Sequence, residues 1–197
     1  MSDLFHERVE AEYIAQIGDV MRRAHWHLFQ VLTKRHERMR DLLSGELRWM
    51  ADLENVAYGV SVENREYGMP RLDALRATPA RIRFLSIEPL LEDLGSLDLR
   101  SIDWVIVGGE SGPRSRPMLR QWVVRIRREC RVQRVPFFFK QWGGVRKREA
   151  GRKLDGRTYD QFPLSFDLRR KSETHGEAIR SESRLLGRLH PVPAGQT

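Results

Sequence analysis

Five short apolar runs recur along the chain, and each ends in a cluster of charged or strongly polar residues. They are Leu28 to Leu32 into Thr33-Lys34-Arg35, Val56 to Val60 into Ser61-Val62-Glu63-Asn64, and Ile82 to Leu85 into Ser86-Ile87-Glu88-Pro89. Trp104 to Val107 into Gly108-Gly109-Glu110-Ser111-Gly112 and Phe137 to Phe139 into Lys140-Gln141-Trp142 complete the set. Their starts lie 28, 26, 22 and 33 residues apart, which suits βα units rather than hairpins. Runs that are continuously apolar, rather than alternating, belong to strands buried on both faces, as in a parallel sheet whose ligands sit at the carboxyl ends. The expected fold is α/β with a mostly parallel sheet, its polar clusters gathered on one rim.

The intervening segments supply the helices. Residues 8 to 24 place Val9, Tyr13, Ile14, Ile17, Val20, Met21 and Ala24 on one stripe at helical spacing, with glutamates near the start and Arg22-Arg23 at the end, as the helix dipole favours. Arg35 to Leu43 predicts a second helix stopping near Ser44-Gly45, with a short one over Glu46 to Asp52. A helix around Asn64 to Ala77 contains Gly68 and Pro70 and is expected to begin or restart at Pro70. Pro89 to Arg100 reads as a loop, and Leu119 to Gln133 as a long helix. Residues 164 to 197 read as a polar, flexible tail with one helical stretch around Glu177 to Leu189.

Length and an apolar content of 40% allow one sizeable core, expected over residues 1 to 163. No run approaches the ~20 apolar residues of a membrane span, and the first residues lack a secretion pattern, so a cytoplasmic protein is expected. The single cysteine, Cys130, excludes an intrachain disulfide and a cysteine-based metal site within this chain; its helical apolar stripe marks it as a core thiol. The net charge of +8 is uneven, for residues 114 to 170 hold 17 basic against 5 acidic side chains while residues 1 to 113 are net acidic. That excess, dense over 114 to 157, suits nucleic-acid phosphates or another anion, or a solvated basic face.

Three runs each deliver a carboxylate within three residues of their last apolar position: Glu63, Glu88 and Glu110. Carboxylates converging on a low-dielectric rim suit proton transfer, metal binding or gripping a cation, against the alternative of helix caps and surface residues. Lys34 and Lys140 hold the equivalent position on the first and fifth runs, to bind an anion, form a Schiff base or neutralise the glutamates; neutralisation is the expectation. The Gly-rich turn after the fourth run permits close backbone approach and offers amides to an anion, but it is not a dinucleotide or phosphate-loop signature. Gln141 and Trp142 suit an amide contact and stacking on a planar ring, or a Trp covering the barrel end. Histidines show no metal-ligand spacing; only His6, beside Asp3, merits attention.

These segments, together with Ser2-Asp3-Leu4-Phe5-His6-Glu7 and Leu154-Asp155-Gly156-Arg157-Thr158-Tyr159-Asp160-Gln161-Phe162-Pro163, resemble in order a phage-associated family of unknown function, the phage gene-product 37/68 family, a relative of radical-SAM proteins. The resemblance implies a partial (β/α) barrel with its amino-terminal βα units missing, a [4Fe-4S] cluster on a three-cysteine CxxxCxxC-type motif, and S-adenosylmethionine at the strand ends. This chain has no such motif. Its first residues match the end of the family's second strand, so it is expected to be a carboxyl-terminal part, from a gene fragment, a miscalled start or a split protein.

The preferred reading is therefore a radical-SAM-like barrel part, not catalytic alone, with S-adenosylmethionine on Ser61, Glu63 and Asn64. Glu88, Glu110 and Lys140 are the candidate catalytic groups, and Asp3, Lys34, Ser111, Gln141 and Trp142 the candidate substrate contacts; no residue is assigned to a metal. The alternatives are a nucleic-acid- or partner-binding module using segment 114 to 157, and a cluster-independent barrel lyase using Lys140 or Lys34. The expected partners are a missing amino-terminal half or another protein, and nucleic acid through the basic segment, with no membrane.

Overall fold

The computed structural model describes residues 3–163; the expected tail, 164 to 197, with its helical stretch at Glu177 to Leu189, lies outside the described residues. Five strands, β1 (Phe29–Thr33), β2 (Val56–Ser61), β3 (Ile82–Ile87), β4 (Trp104–Gly108) and β5 (Phe137–Gln141), form one sheet in sequential order with every pair parallel. Sequential order distinguishes this sheet from a doubly wound one, in which the direction of progression reverses. Crossovers that all step the same way and share the usual right hand place every helix on the same face, the arrangement of a barrel wall.

The register divides the strand residues between two faces. Val31, Tyr58, Val60, Leu85, Ile87, Val105, Val107, Phe137 and Phe139 join the helix-packed core. The opposite face carries Leu32, Gly59, Phe84 and Trp104 in one row and Ser61, Ser86, Ile106 and Phe138 in the next. This second face is the concave side in a barrel, and its lower part is aromatic: Trp104 lies 6.0 Å from Phe84, 5.9 Å from Phe138 and 5.1 Å from Phe162 between ring centroids. Gly59 makes room for this cluster, because a Cβ there would fall 2.5 Å from the Phe84 ring.

Helices α1 (Ala11–Arg23), α2 (His36–Ser44), α3 (Arg48–Ala51), α4 (Arg65–Ala77), α5 (Arg120–Val132) and α6 (Lys147–Ala150) fill the connections. The first helix buries only part of its apolar stripe: Ile14 and Met21 are buried, but Tyr13 and Val20 are about half exposed. Tyr13, Ile17 and Met21 line a cavity of ≈ 590 Å³ along the outer flank of β1, which among the described residues pairs only with β2. The expected restart of α4 at Pro70 needs correction, for the helix runs unbroken from Arg65. Asn64 caps it by accepting from the Tyr67 amide, and Gly68 lies so close to Val62 that its first turns are held by tertiary packing despite the missing proline N–H.

Between β3 and β4 no helix forms, as expected. Leu90, Leu94, Leu97, Leu99 and Ile102 bury themselves and cover the sheet where a helix would otherwise lie. At the far edge, residues 159 to 161 run antiparallel beside β5, with Phe139 N–H donating to the Tyr159 carbonyl at 2.9 Å and Phe138 bridging Asp160. Trp104 Nε1 donates to the Gln161 carbonyl at 2.8 Å, which seats Phe162 on the aromatic row. The segment thereby caps the β5 edge, a device that removes an exposed strand template. Because Phe162 is wedged between Trp104 and Phe138, Phe162→Ala is expected to cost about 2–3 kcal/mol, read by denaturant unfolding, and to weaken the near-ultraviolet circular dichroism of Trp104. An unchanged midpoint and spectrum would contradict the packing role.

Candidate functional site

Parallel strands bring Glu63, Glu88 and Glu110 to the same end of the sheet, just past β2, β3 and β4. Each meets a cation. Glu63, 8% exposed, lies between Lys34 Nζ and Arg71 Nη1, the latter at 2.6 Å. Burial works to raise the Glu63 pKa, but the bonds to Lys34 and Arg71 outweigh it and hold the carboxyl below its usual range. Arg71 also donates to the Ser61 carbonyl at 2.9 Å, tying α4 to the end of β2.

Glu88 just past β3 and Lys140 within β5 have β4 between them, yet Lys140 Nζ reaches Glu88 Oε1 at 2.9 Å and Oε2 at 3.0 Å. The intervening position is Gly108, where a Cβ would stand 2.9 Å from Glu88 Oε1. The glycine thus opens the gap through which the pair closes. The Lys neutralising role read from the sequence holds for both lysines. Glu110 turns to Arg116, which donates from Nε at 2.8 Å, Nη2 at 2.8 Å and its backbone N–H at 2.9 Å. Those bonds, the side-chain ones first, lower the Glu110 pKa to about 2.

The remaining candidates have structural roles. Asp3 accepts from Thr33 Oγ1 at 2.6 Å and from the Lys34 amide at 3.1 Å, pinning the chain's first described turn to the end of β1. Asn64 Oδ1 is committed to capping α4. Ser111 Oγ accepts from Gln141 Nε2 at 2.9 Å, and the Gly109 and Gly112 amides donate to the Gln141 and Gly144 carbonyls. The Gly-rich turn is therefore knitted to the end of β5: a Cβ on Gly109 would overlap the Trp142 carbonyl, so its close approach is to backbone and two of its amides serve no anion. Trp142 is partly buried, its ring centroid 4.9 Å from that of Phe139 in an edge-on contact, and its indole N–H donates to the Lys153 carbonyl. His6 Nδ1 accepts from the Arg8 amide at 3.2 Å in a surface turn.

Sequence reasoning missed Arg71 and Arg116. Each follows its glutamate by fewer than ten residues, but the intervening backbone had to be known before either pairing could be drawn. It also missed Glu92, whose Oε1 accepts from the Arg65 amide at 2.6 Å where α4 leaves the rim.

The iron-sulfur cluster that the resemblance implies does not fit these residues. Cys130, the chain's one cysteine, is fully buried on the core side of α5, and burial raises its pKa to about 12, whereas a cluster ligand must be an accessible thiolate. S-adenosylmethionine fits better: its amino-acid end carries one ammonium and one carboxylate, and the rim sets Glu63 beside Lys34 and Glu88 beside Lys140.

Fold and rim together define an α/β protein with a charge-paired carboxyl edge. Residues 1–163 match the model of a protein of unknown function, DUF5131, and the chain belongs to that family. No curated protein and no solved structure matches it.

The Glu110 pKa has a checkable sign. A carboxyl depressed on folding contributes stability that is fully present above its unfolded value of about 4.3 and is lost as pH falls through the folded value. Carboxyl-carbon NMR titration is expected to give Glu110 a midpoint near 2, and Arg116→Ala to return it towards ~4.3. An ordinary midpoint in the unsubstituted protein would contradict the pairing.

Proposed function

We propose that the carboxyl rim binds a small zwitterion, and that this ligand is S-adenosylmethionine, as the resemblance to the phage gene-product 37/68 family and its radical-SAM relatives implies. The observation that carries this reading is the alternation of charge along the rim, Lys34–Glu63–Arg71 beside Glu88–Lys140. A zwitterion exchanges one set of ion pairs for another, with its ammonium on a glutamate and its carboxylate on the partner lysine, so neither charge is stranded on binding. Lys34 and Lys140 are about half exposed, whereas Glu63 and Arg71 are largely buried.

S-adenosylmethionine, when bound, supplies an activated sulfonium, but this chain's residues hold no cluster to cleave it reductively. On this reading the chain binds and orients the ligand, and the radical chemistry belongs to cysteine-bearing structure that it does not itself contain. On the same reading the flank of β1 that carries no strand among the described residues is where a further parallel strand would dock, and the ≈ 590 Å³ groove lined by Tyr13, Ile17 and Leu32 supports it. Lys140, held on Glu88 and half exposed, lacks the desolvated or cation-lined pocket that activates a Schiff-base lysine, so the lyase alternative draws less support.

Isothermal titration of S-adenosylmethionine into the full chain tests this. Binding is expected, with affinity about 10-fold weaker in Lys34→Met, the equivalent of one charge-assisted hydrogen bond. That substitution removes the exposed cation and leaves the Glu63–Arg71 bond in place. No binding, or affinity unchanged in both Lys34→Met and Lys140→Met, would contradict it.

A further inference from the structure

At the opposite end of the sheet from the charged rim, where β5 begins, a groove of ≈ 770 Å³ runs between α5 and the turn at Leu154 to Arg157. Its floor is apolar, made by Val124, Val135, Pro136 and Phe137, and its walls carry Arg127, Arg128, Arg131, Arg134 and Arg157 against one carboxylate, Asp155. That carboxylate is already taken. Arg120 Nε donates to Asp155 Oδ1 at 2.8 Å and Arg127 Nη1 to Oδ2 at 3.1 Å, while Arg127 also bonds the Tyr159 hydroxyl and lies over its ring. Arg128, Arg131, Arg134 and Arg157 have no ion-pair partner among the described residues.

This concentration is not the habit of the rest of the described chain. Elsewhere many of its arginines are matched to carboxylates, among them Arg76 and Arg100 to Asp98, Arg125 to Asp93, Arg116 to Glu110 and Arg71 to Glu63, and those that are not, such as Arg65, Arg81 and Arg114, do not line this groove. Four unneutralised guanidiniums around one concave surface repel one another, and an anion relieves that repulsion. Guanidinium also matches phosphate geometry with paired donors, which an ammonium does not. Arg127 and Arg131 are separated by one helical turn, about 6 Å along the axis of α5, and Arg134 follows two residues past its end. Four unpaired guanidiniums on one groove exceed what a single phosphate neutralises, and a repeating phosphodiester supplies the further charge.

We infer that this groove binds the phosphodiester backbone of nucleic acid without regard to sequence, through Arg128, Arg131, Arg134 and Arg157. The apolar floor and Tyr159 lie against sugars and base edges, and the concavity favours a strand over a flat anionic membrane surface. The groove is separate from the rim, since the length of β5 lies between them, and it therefore stands whether or not the rim binds a zwitterion.

Fluorescence anisotropy of labelled 20-nucleotide DNA, RNA and duplex with the full chain, across about 50 to 200 mM salt, tests the inference. Four phosphate contacts predict a slope of log affinity against log salt of about −3 to −4. Arg128→Gln, Arg131→Gln and Arg134→Gln combined are expected to reduce that slope by about 2 to 3 and to weaken binding at low salt at least about 10-fold. All three residues are exposed, so the circular dichroism of the triple variant should match the parent. Absence of oligonucleotide binding at low salt, or a triple variant with unchanged affinity and slope, overturns the inference. So does capture of tripolyphosphate or phosphatidylserine vesicles by a protein that does not bind oligonucleotide.

Discussion

The Glu63 carboxylate, held between Lys34 and Arg71, joins β1, β2 and α4 at the end of the sheet. A carboxylate at 8% exposure is stable in its charged form only when its lost hydration is replaced by cations and donors. Arg71 supplies the fixed half of that replacement, because its side chain is itself largely buried and bonds the Ser61 carbonyl as well. Lys34, about half exposed, supplies the other half. The rim thus sets a buried anion beside a more exposed cation, the combination on which the proposed zwitterion exchange depends.

Backbone geometry then decides which other groups join. The parallel register puts Glu88 opposite Gly108, and the missing side chain there lets Lys140 reach across an entire strand. The same logic governs the aromatic face of the sheet, where Gly59 accommodates Phe84 and the returning segment at 159 to 163 seats Phe162 against Trp104. Polar rim and aromatic base are therefore consequences of one alternation along the strands, with glycine at the two places where a neighbour must lean over. The basic groove arises differently, from the outward face of α5 and a turn, which is why its charge is independent of the rim's balance.

Much of this was readable in the chain. Continuous apolar runs at βα spacing were enough for five strands and their direction, and direction was enough to bring Glu63, Glu88 and Glu110 to one end with Lys34 and Lys140 as neutralisers. The rest depended on geometry that one-dimensional patterning does not carry. Arg71 pairs with Glu63 only because α4 folds back over the end of β2. Phe162 meets Trp104 across nearly sixty residues, through backbone pairing beside β5 that its polar sequence does not announce. The α1 stripe was legible at helical spacing, but periodicity marks apolar positions without saying whether a neighbour is present to cover them; Tyr13 is about half exposed and lines the groove along β1. Asn64, Ser111 and Trp142 have side chains suited to ligands, yet a helix cap, a partner amide and a packed ring take them first.

The most direct test of this account is a double-mutant cycle on Glu63→Gln and Arg71→Met, read by denaturant unfolding near neutral pH. Each single substitution is expected to destabilise the fold, and the double to cost less than their sum by about 1–3 kcal/mol, since each single leaves a buried charged partner short of its counter-charge. Additive effects, or singles with no cost, would mean that the rim does not rest on that ion pair.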